Sequence, residues 1–387
     1  LHKSKGINAA PLLSHPDSGL HVRVLRTLDE CRTYRDDWAR LIKLEGQGVS
    51  GFDVSATFEW VEALWQGFLD SAPQIVLIVS DSSGVRGMLP CSITIETIAR
   101  ISYRKLALIT SIYDLRTGFL VGGDAGVLNR LLAFLFDELD GWDAFGFKVV
   151  EQSPSDMALG AVVLRRGLKL HHERRWDSPY IRLPQDPDQV FDGFNRNMRS
   201  NLRRRDKQLG ALGKLEMRIY DTEAAVPVFL DLMMSVEARS WKQDAGTALT
   251  ASQKQQKLYG LVTPALASHH WFLGAALLLD DRPLAYIYGY PYGGVFVGEK
   301  SSYDEQFKSY GPGSLLRARL LEELIRRGIV IYDLAGDADP NKAHWTDLSY
   351  SRNSYLLFNK TMRAQMLRVG LGVRKLWVAL REAKSDA

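Results

Sequence analysis

Only two cysteines, Cys31 and Cys91, occur in 387 residues. They are too few for a disulfide framework and wrongly spaced for a metal chelate, so a reducing compartment is the default. No apolar run reaches the ~18 residues that a spanning helix needs. Leu1-His2-Lys3-Ser4-Lys5-Gly6 leads into no apolar stretch and does not read as a secretory signal. A Gly-x-Ser-x-Gly elbow and a His-Glu-x-x-His helix are both missing, so serine hydrolases and zinc proteases have little support. His171, His172 and Glu173 are adjacent and point different ways, a poor chelate. No metal is expected.

Acidic and basic residues nearly balance, with a formal charge of +4, which by itself says little about partners. What is present is a globular composition, 46% hydrophobic and 24% charged, at a length of roughly two to three domains. Residues 1–19 read as a disordered lead. Strand patterning appears at 21–28, 74–79, 93–101, 106–109, 119–121 and 144–149, and helical spacing at 29–43, 58–68, 127–139 and 156–164. Arg165-Arg166-Gly167 closes the last of these as a basic turn with a C-cap glycine. Pro184, Pro187 and several aspartates mark a boundary near 179–187. The order then repeats: helices over 188–212, 222–240 and 251–267, strands over 215–220, 271–279, 284–292 and 295–299, a helix over 314–327 and a strand over 329–334. Adjacent strands before a single crossover predict an α/β protein with mixed sheets and helices packed on them. The expected divisions are 20–183, 184–365 and a basic amphipathic tail over 366–387.

The most informative stretch is Tyr310-Gly311-Pro312-Gly313-Ser314-Leu315, between an aromatic strand and a long helix. Backbone N–H groups at a helix start have no intrahelical partner and can hold a pyrophosphate. Gly313 is followed by Ser314-Leu315 and not by Lys-Ser/Thr, so this is no nucleotide P-loop. Acyl transfer to an amine needs a base and a proton for the leaving thiolate. Glu299 or Asp304 is placed to be the base, and Tyr303 or Tyr310 the donor. The competing reading makes Glu299–Lys300 a solvated edge and the tyrosines packing residues. A second polar cluster, Asp333 to Trp345, follows a buried strand, where open sheets hold ligands. There His344 would assist proton transfer or orient substrate, and Lys342 would pair with a phosphate; the bland alternative is a hydrogen-bonded capping loop. Arg196, Arg199, Arg203 and Lys207 recur on one helical face, reinforced by Arg204 and Arg205. That density admits a polyanion or a phospholipid headgroup, with nucleic acid the poorer choice. The tail, with Lys360, Arg363, Arg368, Arg374 and Lys375 among apolar residues, fits an anionic membrane surface or a packed terminal helix.

Several spaced motifs carry a resemblance. They are Asn201-Leu202-Arg203-Arg204-Arg205, Glu237-Ala238-Arg239-Ser240-Trp241-Lys242 with Ala245-Gly246-Thr247-Ala248, Tyr303-Asp304 through Gly311-Pro312-Gly313, and Tyr332-Asp333-Leu334-Ala335-Gly336-Asp337 with Lys342 and Trp345. Together they resemble the CelD/BcsL-type, FemAB-like branch of the GNAT acyltransferases over most of residues 20–365. The resemblance implies two tandem acyl-CoA N-acyltransferase folds with the working cleft in the second. It also implies direct transfer from an acyl-CoA, or an acyl carrier protein, to an amine of an envelope-related sugar, amino acid or lipid. Trp241, Lys242, Asp333, Asp337 and Lys342 would then bind substrate, and Tyr310 to Leu315 the donor. The glycine turn departs from the Arg/Gln-rich form usual in such enzymes. Alternatives are aminoacyl-tRNA-dependent transfer and a non-catalytic polysaccharide-assembly module. The expected location is cytoplasmic, with peripheral contact to an anionic membrane.

Overall fold

In the computed structural model, residues 19–46, 48–67, 72–98, 100–109 and 116–372 are described. The first half opens with β1 (His21–Leu25), α1 (Leu28–Arg32), α2 (Arg35–Leu44) and α3 (Phe58–Gly67). Three antiparallel strands follow, β2 (Gln74–Asp81), β3 (Gly84–Ile98) and β4 (Ile101–Leu108). Helix α4 (Ala125–Asp137) crosses over to β5 (Ala144–Val150), which runs parallel to β4, and α5 (Pro154–Arg166) leads into β6 (Leu170–Arg182).

The second half repeats the plan. It begins with α6 (Arg196–Gly210), β7 (Leu215–Tyr220), α7 (Val226–Glu237), the short α8 (Trp241–Asp244) and α9 (Gln253–Ala267). Antiparallel β8 (Leu273–Leu279), β9 (Arg282–Tyr292) and β10 (Val295–Tyr303) come next. Helix α10 (Pro312–Arg326) crosses to β11 (Ile331–Asp333), parallel to β10, and α11 (Pro340–Ala343) precedes β12 (Ser349–Phe358).

Among the described residues, twelve strands join one sheet in the order β1-β2-β3-β4-β5-β12-β6-β11-β10-β9-β8-β7. The two halves meet by exchange. β12, last in the chain, pairs antiparallel with β5, and β6 pairs antiparallel with β11, while β6 and β12 lie side by side at the centre. Each parallel strand therefore gains a neighbour from the other half. The mixed sheet expected from adjacent strands before one crossover is what forms.

The core follows the period of two along the strands. On β9, Tyr286, Tyr288 and Tyr290 face the buried cluster that holds Phe229 of α7 and Tyr259 of α9, while Ala285 and Ile287 face the cluster built on α10. Local signals set the helix ends. Thr27 and Glu30 form a reciprocal capping box, Asn195 caps α6 through the Met198 N–H, and Gly167 closes α5 at φ 62°.

Some elements differ from the sequence expectation. The stretch placed near a boundary at 179–187 belongs partly to β6, which runs through Pro179 to Arg182. The long helix expected over 188–212 is a short turn at Pro187–Gln189 followed by α6. The strand expected at 119–121 is a single bridge, Met88 to Leu120. β3 begins nine residues before the strand expected at 93–101 and stops short of its end, and Ile101 starts β4. The lead expected over 1–19, apart from residue 19, and most of the tail lie outside the described residues. Residues 366–372 continue a helix that buries Ala364 and Leu367 against Tyr103 and Phe358 while leaving Met366 and Val369 exposed.

Candidate functional site

β10 and β11 pair in parallel over only three positions, Val295 to Val297 against Ile331 to Asp333. Beyond Val297 the two strands part. On its other side β10 carries a bulge between Gly298 and Lys300, where two residues oppose one on β9. The bulge interrupts the ladder and bends β10 away from β11. Gly298 is needed there, because a Cβ would stand 2.5 Å from the Tyr332 ring.

The gap that results is a cleft of about 390 Å³. Its walls are Gly298 to Ser301 of β10, Leu334 to Gly336 after β11, Arg317 of α10, and Lys242, Thr247, Gln255 and Lys342. The 334–336 wall is a tight turn, with Ala335 at φ 51° and Gly336 at φ 59°. The Asp333 carboxylate holds it by accepting the Ala335 N–H at 2.8 Å.

Glu299 occupies the bulge. Its Oε1 accepts the Tyr259 hydroxyl at 3.1 Å, and its Oε2 is buried without a hydrogen-bond partner among the described residues. Burial pushes the carboxyl up to about 7, against the pull of the Tyr290 and Tyr259 hydroxyls and Lys300. A carboxyl at that value exchanges a proton near neutrality, as a general base must. Tyr290, beside it on β9, is fully buried, and burial holds its hydroxyl well above the ordinary range.

Cations dominate the remaining wall. Lys242 Nζ donates to Glu237 Oε1 at 3.0 Å and to the Ser301 carbonyl at 2.7 Å, and Lys300 Nζ lies 3.3 Å from the same Glu237 oxygen. Glu237, at the end of α7, is wholly buried and also accepts the Tyr286 hydroxyl and the Leu249 N–H. Burial raises its carboxyl, but Lys242, the Tyr286 hydroxyl and Lys300 outweigh that and leave it below the usual range. Burial draws Lys242 below its usual value, with Glu237 resisting. Lys342 reaches the Ala335 and Asp337 carbonyls at 2.6 and 2.8 Å, and Arg317 stacks over the Trp345 ring at 5.2 Å. The lining holds four cations and one acid, and Glu237 behind it offsets one of the cations, which leaves the cleft net positive and receptive to anionic ligands.

Of the candidate catalytic residues, only Glu299 lines this cleft. Asp304 is fully buried elsewhere, with Oδ2 bound by Arg239 at 2.8 Å and Arg282 at 2.7 Å and Oδ1 by the Gln306 N–H. Burial raises its carboxyl and the two arginines overcome this, so it stays ionised as their counter-ion. Tyr303 packs its ring 3.6 Å from where a Gly313 Cβ would stand. His344 is exposed at the end of α11. Lys242 and Lys342 line the cleft, Trp241 is exposed beside it, and Asp337 pairs with Arg174 at 3.1 Å. Asp333 is buried against Arg116 at 2.9 Å and the Tyr350 hydroxyl at 2.7 Å.

The glycine turn opens α10 as expected, with Gly311 at φ 59°. Its cradle is narrower than the sequence implies. Pro312 has no N–H, and those of Ser314 and Leu315 turn back to the Gly311 carbonyl at 3.0 and 3.1 Å. A cation compensates: Arg205 of α6 lies over the turn, with Nη1 2.7 Å from where a Gly311 Cβ would be. Pro312 and Leu315 are buried, and Tyr310 packs beside Phe307.

Sequence reasoning missed Tyr259, Tyr290 and Arg317. Tyr259 carries no signal, since it lies 40 residues from Glu299, on helix α9. Arg317 had one: it falls on the second turn of a helix already read as ligand-facing.

Residues 196–343 match an acetyltransferase (GNAT) domain. The matched residues have the GNAT fold, and the chain is an acyltransferase. Among solved structures it is similar to FemX, at 13% identity over 84% of this chain and 96% of that one, with a TM-score of 0.57. A conserved protein of unknown function from Bacteroides thetaiotaomicron VPI-5482 shares 11% identity over 87% of this chain and 100% of its own, with a TM-score of 0.53. The C-terminal domain of a putative lysylphosphatidylglycerol synthetase from Agrobacterium fabrum shares 11% over 88% and 95%, with a TM-score of 0.50. At such identities the likeness establishes the fold. No curated protein matches the chain in sequence. No described helix is long and apolar enough to cross a membrane.

Proposed function

We propose that the chain transfers an acyl group directly from a thioester to an amine in the cleft between β10 and β11. The donor is an acyl-CoA or an acyl-carrier thioester, and the acceptor an amine of an envelope-related sugar, amino acid or lipid. The observation that carries this reading is Glu299: a carboxyl pushed up to about 7 by burial, on the bulge that opens the cleft. The donor's phosphates are assigned to the first turn of α10, between the Gly311 turn and Arg205. Its thioester then extends along the bulge.

The amine nitrogen attacks the thioester carbon, the C–N bond forms and the C–S bond breaks. Glu299 takes the amine proton, which leaves finally on the thiol. The ladder break at the bulge frees backbone groups to meet the carbonyl oxygen. Lys242 and Lys300, fixed by Glu237, supply positive potential for the developing oxyanion.

The test is thiol release on mixing the protein with a panel of acyl-CoAs and amines. Turnover is expected with at least one pair. Glu299→Gln should lower kcat by about 10²- to 10⁴-fold and remove the inflection near pH 7 in the wild-type profile. The sign is fixed by the role, so activity rises with pH as Glu299 ionises. Thiol release absent across the panel rejects the reading. A Glu299→Gln enzyme with a wild-type profile rejects Glu299 as the base.

A further inference from the structure

Helix α6 carries six basic residues, Arg196, Arg199, Arg203, Arg204, Arg205 and Lys207, and none makes an ion pair among the described residues. Its one acid, Asp206, is bound by Arg319 of α10 at 2.7 Å. Arg204 reaches only the side-chain oxygen of Asn201, at 3.3 Å. Several arginines on other helices are paired: Arg32 with Asp29 and Glu62, Arg35 with Glu59, Arg326 with Glu322 and Glu323. Six uncompensated cations on one 15-residue helix repel one another and favour an anionic partner.

Position narrows the partner. α6 is anchored by Leu202 and Leu209 in the cluster built on α10, and its Arg205 covers the Gly311 turn. Arg196 stands nine residues up the helix, about 13 Å along the axis and, at 3.6 residues per turn, half a turn round from Arg205. A free nucleotide donor seated at the turn meets Arg205 and leaves the far cations unused. The strip suits a macromolecule whose surface runs along the helix. α6 contains no aromatic side chain on which bases would stack, and its apolar residues Met198, Leu202 and Leu209 pack on the core, leaving only charge to meet a lipid surface. Its place beside the donor turn favours an acidic protein that itself carries the thioester.

We infer that α6 is the docking face for an acidic carrier protein that delivers the acyl group on a phosphopantetheine arm. Arg205 sits where the arm's phosphate passes to the cleft. This rests on the thioester reading above and names the partner that brings the donor.

The experiment compares binding of an acyl carrier protein and of an acyl-CoA with the same acyl group, for wild type and for Arg196→Glu/Arg203→Glu/Arg204→Glu. All three positions are exposed and outside the cleft. Carrier binding is expected to weaken by about ten-fold or more in the variant, and to weaken in wild type as salt rises. Acyl-CoA binding should not change, which also shows that the variant is folded. Carrier binding that is equal in both proteins, or a tRNA bound more tightly than the carrier through the same three residues, overturns the inference. Loss of acyl-CoA binding in wild type strikes the thioester reading instead, while the carrier comparison still decides the face.

Discussion

Glu45 is wholly buried and accepts the Val121 N–H at 2.8 Å, the Gly122 N–H at 2.5 Å and the Ser155 hydroxyl at 3.3 Å. Burial still prevails and pushes its carboxyl up to about 7 from an ordinary 4.5. The native state therefore keeps this proton to a higher pH than the unfolded chain. Stability is full below about 4.5, falls as pH rises through the window, and levels off above about 7. The change amounts to about 3 kcal/mol at most. Glu299 adds a slope of the same sign in the same window. Denaturant melts from pH 4.5 to 8 should therefore show Glu45→Gln halving the wild-type slope, and an unchanged slope would contradict the assignment. Neither raised carboxyl shows in its own residue type. Asp304 and Glu299 looked equivalent as candidate bases in sequence, and only their neighbours separate them: two arginines at one, tyrosines at the other.

Among elements, the start of α10 was legible because Gly-Pro-Gly before an amphipathic run has few other readings. Gly311 adopts a left-handed conformation, and a Cβ would collide with Arg205. Gly311→Ala should cost about 1–2 kcal/mol in backbone strain and weaken donor binding by displacing Arg205, both measurable in one titration calorimetry and melting series. A variant as stable and as tight as wild type would remove the turn from the account. β6 was not legible. Its exposed Glu173, Arg174 and Arg175 spoil the alternation, and its partner β12 comes more than 160 residues later. Pairings of that separation leave no mark on local sequence. The bulge in β10 was likewise hidden, since Gly298-Glu299-Lys300 reads as the plain end of a strand.

The whole molecule is tied together by that exchange of strands and by one buried ion pair. Arg116 and Asp333 are each 1% exposed, come from opposite halves and meet at 2.9 Å. Asp333 also holds the turn that forms one wall of the cleft. Arg116→Ala leaves a buried carboxylate with Tyr350 as its main side-chain partner and should cost about 3–5 kcal/mol, read as a shift in denaturant midpoint. A shift under 1 kcal/mol would mean that the halves hold without it. The repeated order of elements was visible in sequence and predicted two similar halves. The sheet shows why cutting at 183/184 should fail: residues 184–387 alone leave β11 without β6 and β12 without either neighbour. Size-exclusion chromatography of that fragment should show aggregation, and a stable monomer would show that the exchange is dispensable.

The most direct test of the account is a crystal structure with a non-hydrolysable acyl-CoA analogue. The diphosphate is expected against the Gly311 turn and Arg205, and the thioester mimic between Gly298–Ser301 and Leu334–Gly336, with Glu299 facing the acyl carbon. An analogue bound outside that gap, or density showing the gap closed around its own side chains, would contradict it.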